Sequence, residues 1–241
     1  MARERYLHNA GEETINAPGA EIKIETPKGK WDNFWFYHKW HVIIALAVVA
    51  LVGFFIHDML SVVHPDYQIG LITQVGYSSE ATDKLEQGLE KYGEDLNHDG
   101  KVVVQINSYV VSANPDSADP NMQMASVTKL MADLSDGMSM IFLTDDASFQ
   151  NEQKSQQLFA YLDGTSPAAN ATDYDKMRIS LKNAANLQSL KSSVSTGEEA
   201  LMLNNLSASL RIVKGTKAED KQTEYYSASK KLFDQVFLNG K

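Results

Sequence analysis

Hydrophobic and polar positions along the chain fall into three regimes. Residues 1–30 mix charge, Gly and Pro with few large apolar side chains; VIIALAVVALVGFFI, from Val42 to Ile56, is apolar without a break; from Tyr67 onward short apolar runs alternate with amphipathic stretches. The first regime buries too little surface to offset its ordering entropy and is expected to be a disordered head. The second spans roughly 22 Å as a helix, short of a hydrocarbon core of about 30 Å. Met59, Leu60, Val62 and Val63 prolong it on one side, and Trp31, Phe34, Trp35, Phe36, Tyr37 and Trp40 form an aromatic cluster on the other. Rings with one polar edge favour the headgroup layer, so residues 31–63 read as an aromatic collar and a transmembrane helix. His57 and Asp58 are expected near the outer interface, within reach of water. Lys28, Lys30 and Lys39 precede the run and the next lysine is Lys84, a bias that places the N-terminus in the cytoplasm and residues 66–241 outside the cell. A cleavable signal peptide fits poorly, because the head is long for an n-region and no A-x-A pattern follows the run.

In the third regime Tyr67–Thr73 (YQIGLIT) reads as a strand. Ser78 or Ser79 caps the helix that follows, with Ala81, Leu85, Gly88, Leu89, Tyr92 and Leu96 in one stripe. Lys101–Val111 is a second strand, rich in β-branched residues. A helix over Met122–Asp136 places Val127, Leu130, Met131 and Leu134 on one face and stops at Gly137. Met138–Thr144 is a third, nearly continuous apolar strand, followed by a helix around Ser148–Leu162. Three strand–helix repeats imply right-handed crossovers and a mostly parallel βαβαβα domain over 66–241, covered on both faces. Beyond it the signal weakens to a helix near Ser180–Leu190, a strand Ser207–Val213, and an amphipathic helix Thr223–Leu238 turning Tyr225, Ser229, Leu232, Phe233, Val236 and Phe237 inward.

The segments YQIGLIT, DLNHDGKVVVQI and MSMIFLTDD, with the helices between them, resemble one lobe of an extracellular solute-binding protein of the periplasmic-binding-like class. The head and span, DNFWFYHKWHVIIALAVVALVGFF followed by PDYQIGLI, resemble uncharacterised single-span membrane proteins of Gram-positive bacteria. This resemblance covers residues 31–162 and implies a signal-anchored binding domain at the cell surface. A solute-binding protein has two lobes and about twice this outer length, so closure of two lobes around a solute is not implied.

Charge and composition narrow the partners. The chain of 241 residues has a net charge of −9, nearly all of it beyond residue 65, and an acidic surface repels phosphate backbones, which excludes nucleic acid. There is no cysteine, hence no disulfide, thiol nucleophile or zinc–thiolate site. His98 is the single histidine past residue 66, and no G-x-S-x-G, P-loop or G-x-G-x-x-G occurs, so no nucleophile–histidine triad or dinucleotide site can be assembled and a non-catalytic role is expected. Two sets of residues remain. Asp95, Asn97 and Asp99 alternate, Gly100 follows, and the Lys101 carbonyl stands seventh, as in the first half of a calcium loop. Ile106 occupies the twelfth position, where a full loop needs a bidentate Glu, so any Ca²⁺ would be structural and weakly held; the competing reading is a polar Asp-Gly turn from helix to strand. Asp145 and Asp146 follow the third strand, and Tyr77, Ser78 and Ser79 follow the first, at the edge where open α/β sheets bind ligands. Together they suit a polyhydroxyl or cationic group, against the simpler reading of loop polarity and helix capping. The expected role is a membrane-anchored binding or sensing module for a small solute, a protein or a cell-wall component, the alternative a structural or assembly component of a membrane complex.

Overall fold

The chain is described by a computed structural model over residues 26–62, 64–112, 119–187, 197–213, 219 and 223–238. Of the head expected to be disordered, residues 1–25 lie outside them, whereas residues 27–30 belong to a helix; residues 188–190 of the helix expected near Ser180–Leu190 also lie outside them. The chain divides into two units, Met1–Val63 and His64–Lys241.

The described part of the first unit is one helix, α1 (Pro27–Ser61, 35 residues). It starts earlier than the collar because Thr26 caps it, its hydroxyl accepting from Gly29 N at 3.2 Å, and Pro27 sits in the first turn where no intrahelical N–H is lost. At 1.5 Å per residue it is about 52 Å long, more than a bilayer core requires. The apolar side chains of Val42–Ile56 surround the helix on all sides, and the collar rings stack along it, Trp31 on Trp35 at 6.5 Å and Phe34 on His38 at 4.8 Å. None of its most apolar window is buried, and among the described residues it is the one helix long and apolar enough to cross a membrane.

The second unit is mixed α/β. Strands β1 (Tyr67–Thr73), β2 (Val104–Val110), β3 (Ile141–Thr144), β4 (Arg178–Ser180) and β5 (Ser207–Leu210) form one sheet in the order β2-β1-β3-β5-β4. The first three strands run parallel, linked by α2 (Ser79–Glu90) and α3 (Pro120–Asp136) as the spacing predicted, and α4 (Asp146–Gln156) follows β3. β5 is antiparallel to both its neighbours. The remaining α-helices among the described residues are α5 (Glu198–Asn205) and α6 (Thr223–Phe233), the latter prolonged by a π turn over Asp234–Leu238.

Side-chain alternation divides the core. Ile69, Leu71, Ile141 and Leu143 join Leu85 and Leu89 of α2, Met202 of α5 and Phe233 of α6 on one face; Ile72 and Phe142 join Leu130 of α3 and Phe149 of α4 on the other. Gly70 sits beside Phe142 in the ladder, and a Cβ there would lie 2.4 Å from the Phe142 ring, so only glycine lets that ring cross the strand.

Several boundaries differ from the sequence reading for local reasons. α2 stops at Glu90, although Tyr92 and Leu96 still pack on its core. α4 starts at Asp146 and ends at Gln156, after which Gln157 turns left-handed (φ 51°); the Gln153 side chain then accepts from Phe159 N at 2.9 Å and leads the chain along β5 instead of into another helical turn. Residues 180–187 are not a helix: they comprise the end of β4 and two single 3₁₀ turns, Leu181–Asn183 and Ala185–Leu187, because each burial of Leu181, Ala184 and Leu187 is made against the core without a continuing helical face. Met131 of α3, expected inward, is 47% exposed, and the buried positions of that helix are Leu130 and Asp133. The inward face of the last helix is as expected, with Ser229, Leu232, Phe233, Val236 and Phe237 buried.

Candidate binding site at the carboxyl edge of the sheet

β1 and β3 are neighbours, yet the helices that follow them cover opposite faces, α2 one and α4 the other. Their connections therefore diverge at the carboxyl ends of the two strands, the position where crevices of open α/β sheets usually bind ligands. Tyr77, Ser78 and Asp145 lie there. Ser78 caps α2, its hydroxyl accepting from Ala81 N at 3.3 Å, and its own N–H donates to Glu198 Oε1 at 2.9 Å. Asp145 caps α4, one oxygen accepting from Ser148 N at 2.8 Å while the other accepts from Gln74 N at 2.6 Å. Tyr77 is half-buried; burial first, then the nearby Asp145 and Glu198 carboxylates, push its hydroxyl above the usual tyrosine range.

The five residues picked out by sequence thus divide. Tyr77, Ser78 and Asp145 converge. Ser79 is the exposed first residue of α2. Asp146 turns away: one oxygen accepts from Arg178 Nη1 at 2.7 Å and the other from Gln150 Nε2 at 2.9 Å, while Arg178 stacks 4.6 Å from the Phe149 ring centre. Sequence reasoning missed Glu198, which completes the cluster, and Glu199, whose carboxylate pairs with Lys84 at 2.5 Å and ties α5 to α2. The one available signal was a Gly-Glu-Glu helix start at Gly197–Glu199.

At the opposite, amino edge the second motif forms a self-contained turn. Asp95 accepts from Asp99 N at 3.2 Å and Gly100 N at 2.8 Å; Asn97 Oδ1 accepts from Asp99 N at 2.8 Å; Asp99 accepts from Lys101 N at 2.9 Å. His98 (φ 60°) and Gly100 (φ 87°) supply the left-handed bends. Ile106, at the twelfth position, is a buried residue of β2. The residue that organises this loop is Asp66, only 3% exposed, whose carboxylate accepts from Leu96 N (2.7 Å), Asn97 N (3.1 Å) and Val103 N (2.8 Å). Among the described residues no group of three or more His, Asp or Glu is arranged to hold a metal.

Two open pockets lie away from the carboxyl edge. One of about 290 Å³ is lined by Asp66, Gln68, Leu96, Met138 and Tyr225, and one of about 450 Å³ by Lys91, Glu94, Asn186 and Gln235. Tyr225 accepts from Gln68 N at 2.8 Å and is pushed up to about 12 by burial. Beside it under α3, Asp133 accepts from Tyr109 Oη (2.5 Å), Ser139 N (2.8 Å) and Ser139 Oγ (2.6 Å). Arg211, 5% exposed, donates Nη2 to Leu134 O, and its Nε and Nη1 have no partner among the described residues.

No family model, no curated protein and no solved structure matches the chain. Its function is therefore argued from the site.

Proposed function

We propose that the chain is a membrane-anchored, non-catalytic binding module, its N-terminus cytoplasmic and its α/β domain extracellular and similar to one periplasmic-binding-like lobe. The observation that carries the reading is the convergence of Tyr77, Asp145 and Glu198 at the β1/β3 switch point. A tyrosine ring with two carboxylates near it favours a cation, through the ring quadrupole and through charge. The ligand is accordingly a cationic group, carried by a protein or wall component or by a small solute. Hydrolysis or transfer has no support, since His98 lies in the amino-edge turn and no nucleophile–base pair meets at the carboxyl edge. A weak structural Ca²⁺ at Asp95, Asn97, Asp99 and the Lys101 carbonyl belongs to the same proposal.

The test is the thermal midpoint of the full chain in detergent micelles against amines, basic peptides, sugars and Ca²⁺. Binding to the native state alone raises the midpoint by mass action. A rise with amines or basic peptides that Tyr77→Ala removes supports the reading; a rise with none, or one that survives Tyr77→Ala, contradicts it.

A second reading, a structural or assembly component, is favoured by a separate observation. Met122, Met124, Met131 and Met138, along and just past α3, are 71%, 68%, 47% and 40% exposed. Exposed methionines are adaptable contact residues. A photo-crosslinker at Met131 that captures a defined membrane partner more efficiently than one at Gln87 on α2 would favour this reading over the first.

A further inference from the structure

Among the described residues β2 is the outer strand of the sheet, beside β1 alone. Val111 N donates inward to Thr73 O at 2.9 Å, so by strand alternation Val104, Ile106, Ser108 and Val110 turn their backbone N–H and C=O outward. Such an edge is a template for another strand. The sequence here is VVVQINSYVV, residues 102–111, without charge or proline and rich in β-branched side chains, a composition that pairs with copies of itself.

Two of the outward donors are closed by side chains of α2. Ile106 N donates to Glu86 Oε1 at 2.6 Å and Val104 N to Glu90 Oε1 at 3.4 Å. Ala81, Leu85 and Leu89 fix α2 on the sheet, and the i,i+4 spacing puts both carboxylates on the flank that overhangs the edge. Burial pushes the Glu86 carboxyl up, the Ile106 N–H opposes this, and the Asp83 and Glu90 charges add to it.

We infer that Glu86 and Glu90 lock the β2 edge against strand addition, and that the partner fitting the unlocked edge is β2 of a second copy of this chain, antiparallel about a two-fold axis. That symmetry sets the outward backbone of Ile106 opposite Ser108 of the second copy, and its converse, so the same segment supplies both halves of the ladder.

The test is the mass of the full chain in micelles by analytical ultracentrifugation. Glu86→Ala/Glu90→Ala is expected to associate to twice the wild-type protein mass or more as concentration rises. Glu86→Gln/Glu90→Gln keeps an acceptor at each position and is expected to match wild type. Ser108→Pro added to the alanine pair removes an outward N–H without touching the ladder to β1, and is expected to restore the wild-type mass. An alanine pair that keeps the wild-type mass, or whose association Ser108→Pro leaves intact, would overturn the inference. Should the alanine pair fail to fold, hydrogen exchange on the wild type decides: the lock requires the Ile106 amide to exchange at least about tenfold more slowly than that of Ser108, after correction for intrinsic rates. Equal rates would overturn it.

Discussion

The two edges of the parallel strands are built from the same part, a carboxylate that accepts backbone N–H groups, yet they are used differently. At the amino edge Asp66 and Asp133 are 3% and 7% exposed, and three donors engage each. At the carboxyl edge Asp145 and Glu198 are only half-buried, each oxygen that accepts a backbone donor retains a second lone pair, and both charges act on the Tyr77 hydroxyl nearby. A saturated, buried carboxylate holds elements together; a half-exposed one beside an aromatic ring has capacity left for a ligand.

Substitutions separate the edges by size of effect. Asp133→Ala strips the partner from Tyr109 and Ser139 and the compensating charge from Arg211, and is expected to cost about 3–5 kcal/mol in chemical denaturation, the range for breaking a buried charged network. Asp66→Ala leaves three N–H groups without an acceptor and is expected to cost about 2–4 kcal/mol, detaching the 95–101 loop first in hydrogen exchange. Asp145→Ala removes a cap and the bond from Gln74 N, for about 1–2 kcal/mol. Tyr77→Phe changes stability by less than about 0.5 kcal/mol. An Asp145→Ala cost equal to that of Asp66→Ala would erase the distinction between the edges.

Titration sharpens it from another side. Tyr225 has a folded pKa of about 12 against 10.0 unperturbed. Because the folded value is raised, its contribution is fully present below pH 10 and is lost as pH rises towards about 12. Wild type is expected to lose stability across that window, and Tyr225→Phe to lose less. Glu86, also raised, works in the same sense in a lower pH window: its carboxylate is a burden above its folded pKa, relieved as pH falls. Glu86→Gln is therefore expected to be slightly more stable than wild type at neutral pH, with the gap closing in acid, as read by thermal midpoints at each pH.

Much of the parallel half was legible because local pattern and burial agree there. Ala81, Leu85 and Leu89 repeat at helical spacing and are buried, and β1 to β3 are short apolar runs between turn signals. α3 was legible as a helix but not in its facing: Asp133 takes a buried position that hydrophobic periodicity assigns to an apolar residue, and Met131 is left outside. β4 has three residues, too few to alternate, and the direction of β5 is set by pairing across the sheet. At the site, Tyr77, Ser78 and Asp145 were found from strand ends. Glu198 was not, since it joins them from 120 residues away in sequence, as its bond to Ser78 shows.

The most direct test places a reporter at the site itself. With a fluorinated tyrosine at position 77 and another at position 67, the full chain in micelles is titrated with a short lysine-rich peptide and, in parallel, with a neutral peptide of equal length. The account predicts a saturable shift at Tyr77 with the basic peptide alone, none at Tyr67, and loss of the response in Glu198→Gln. A silent Tyr77, or one that responds alike to both peptides, would contradict a cation-binding site between β1 and β3.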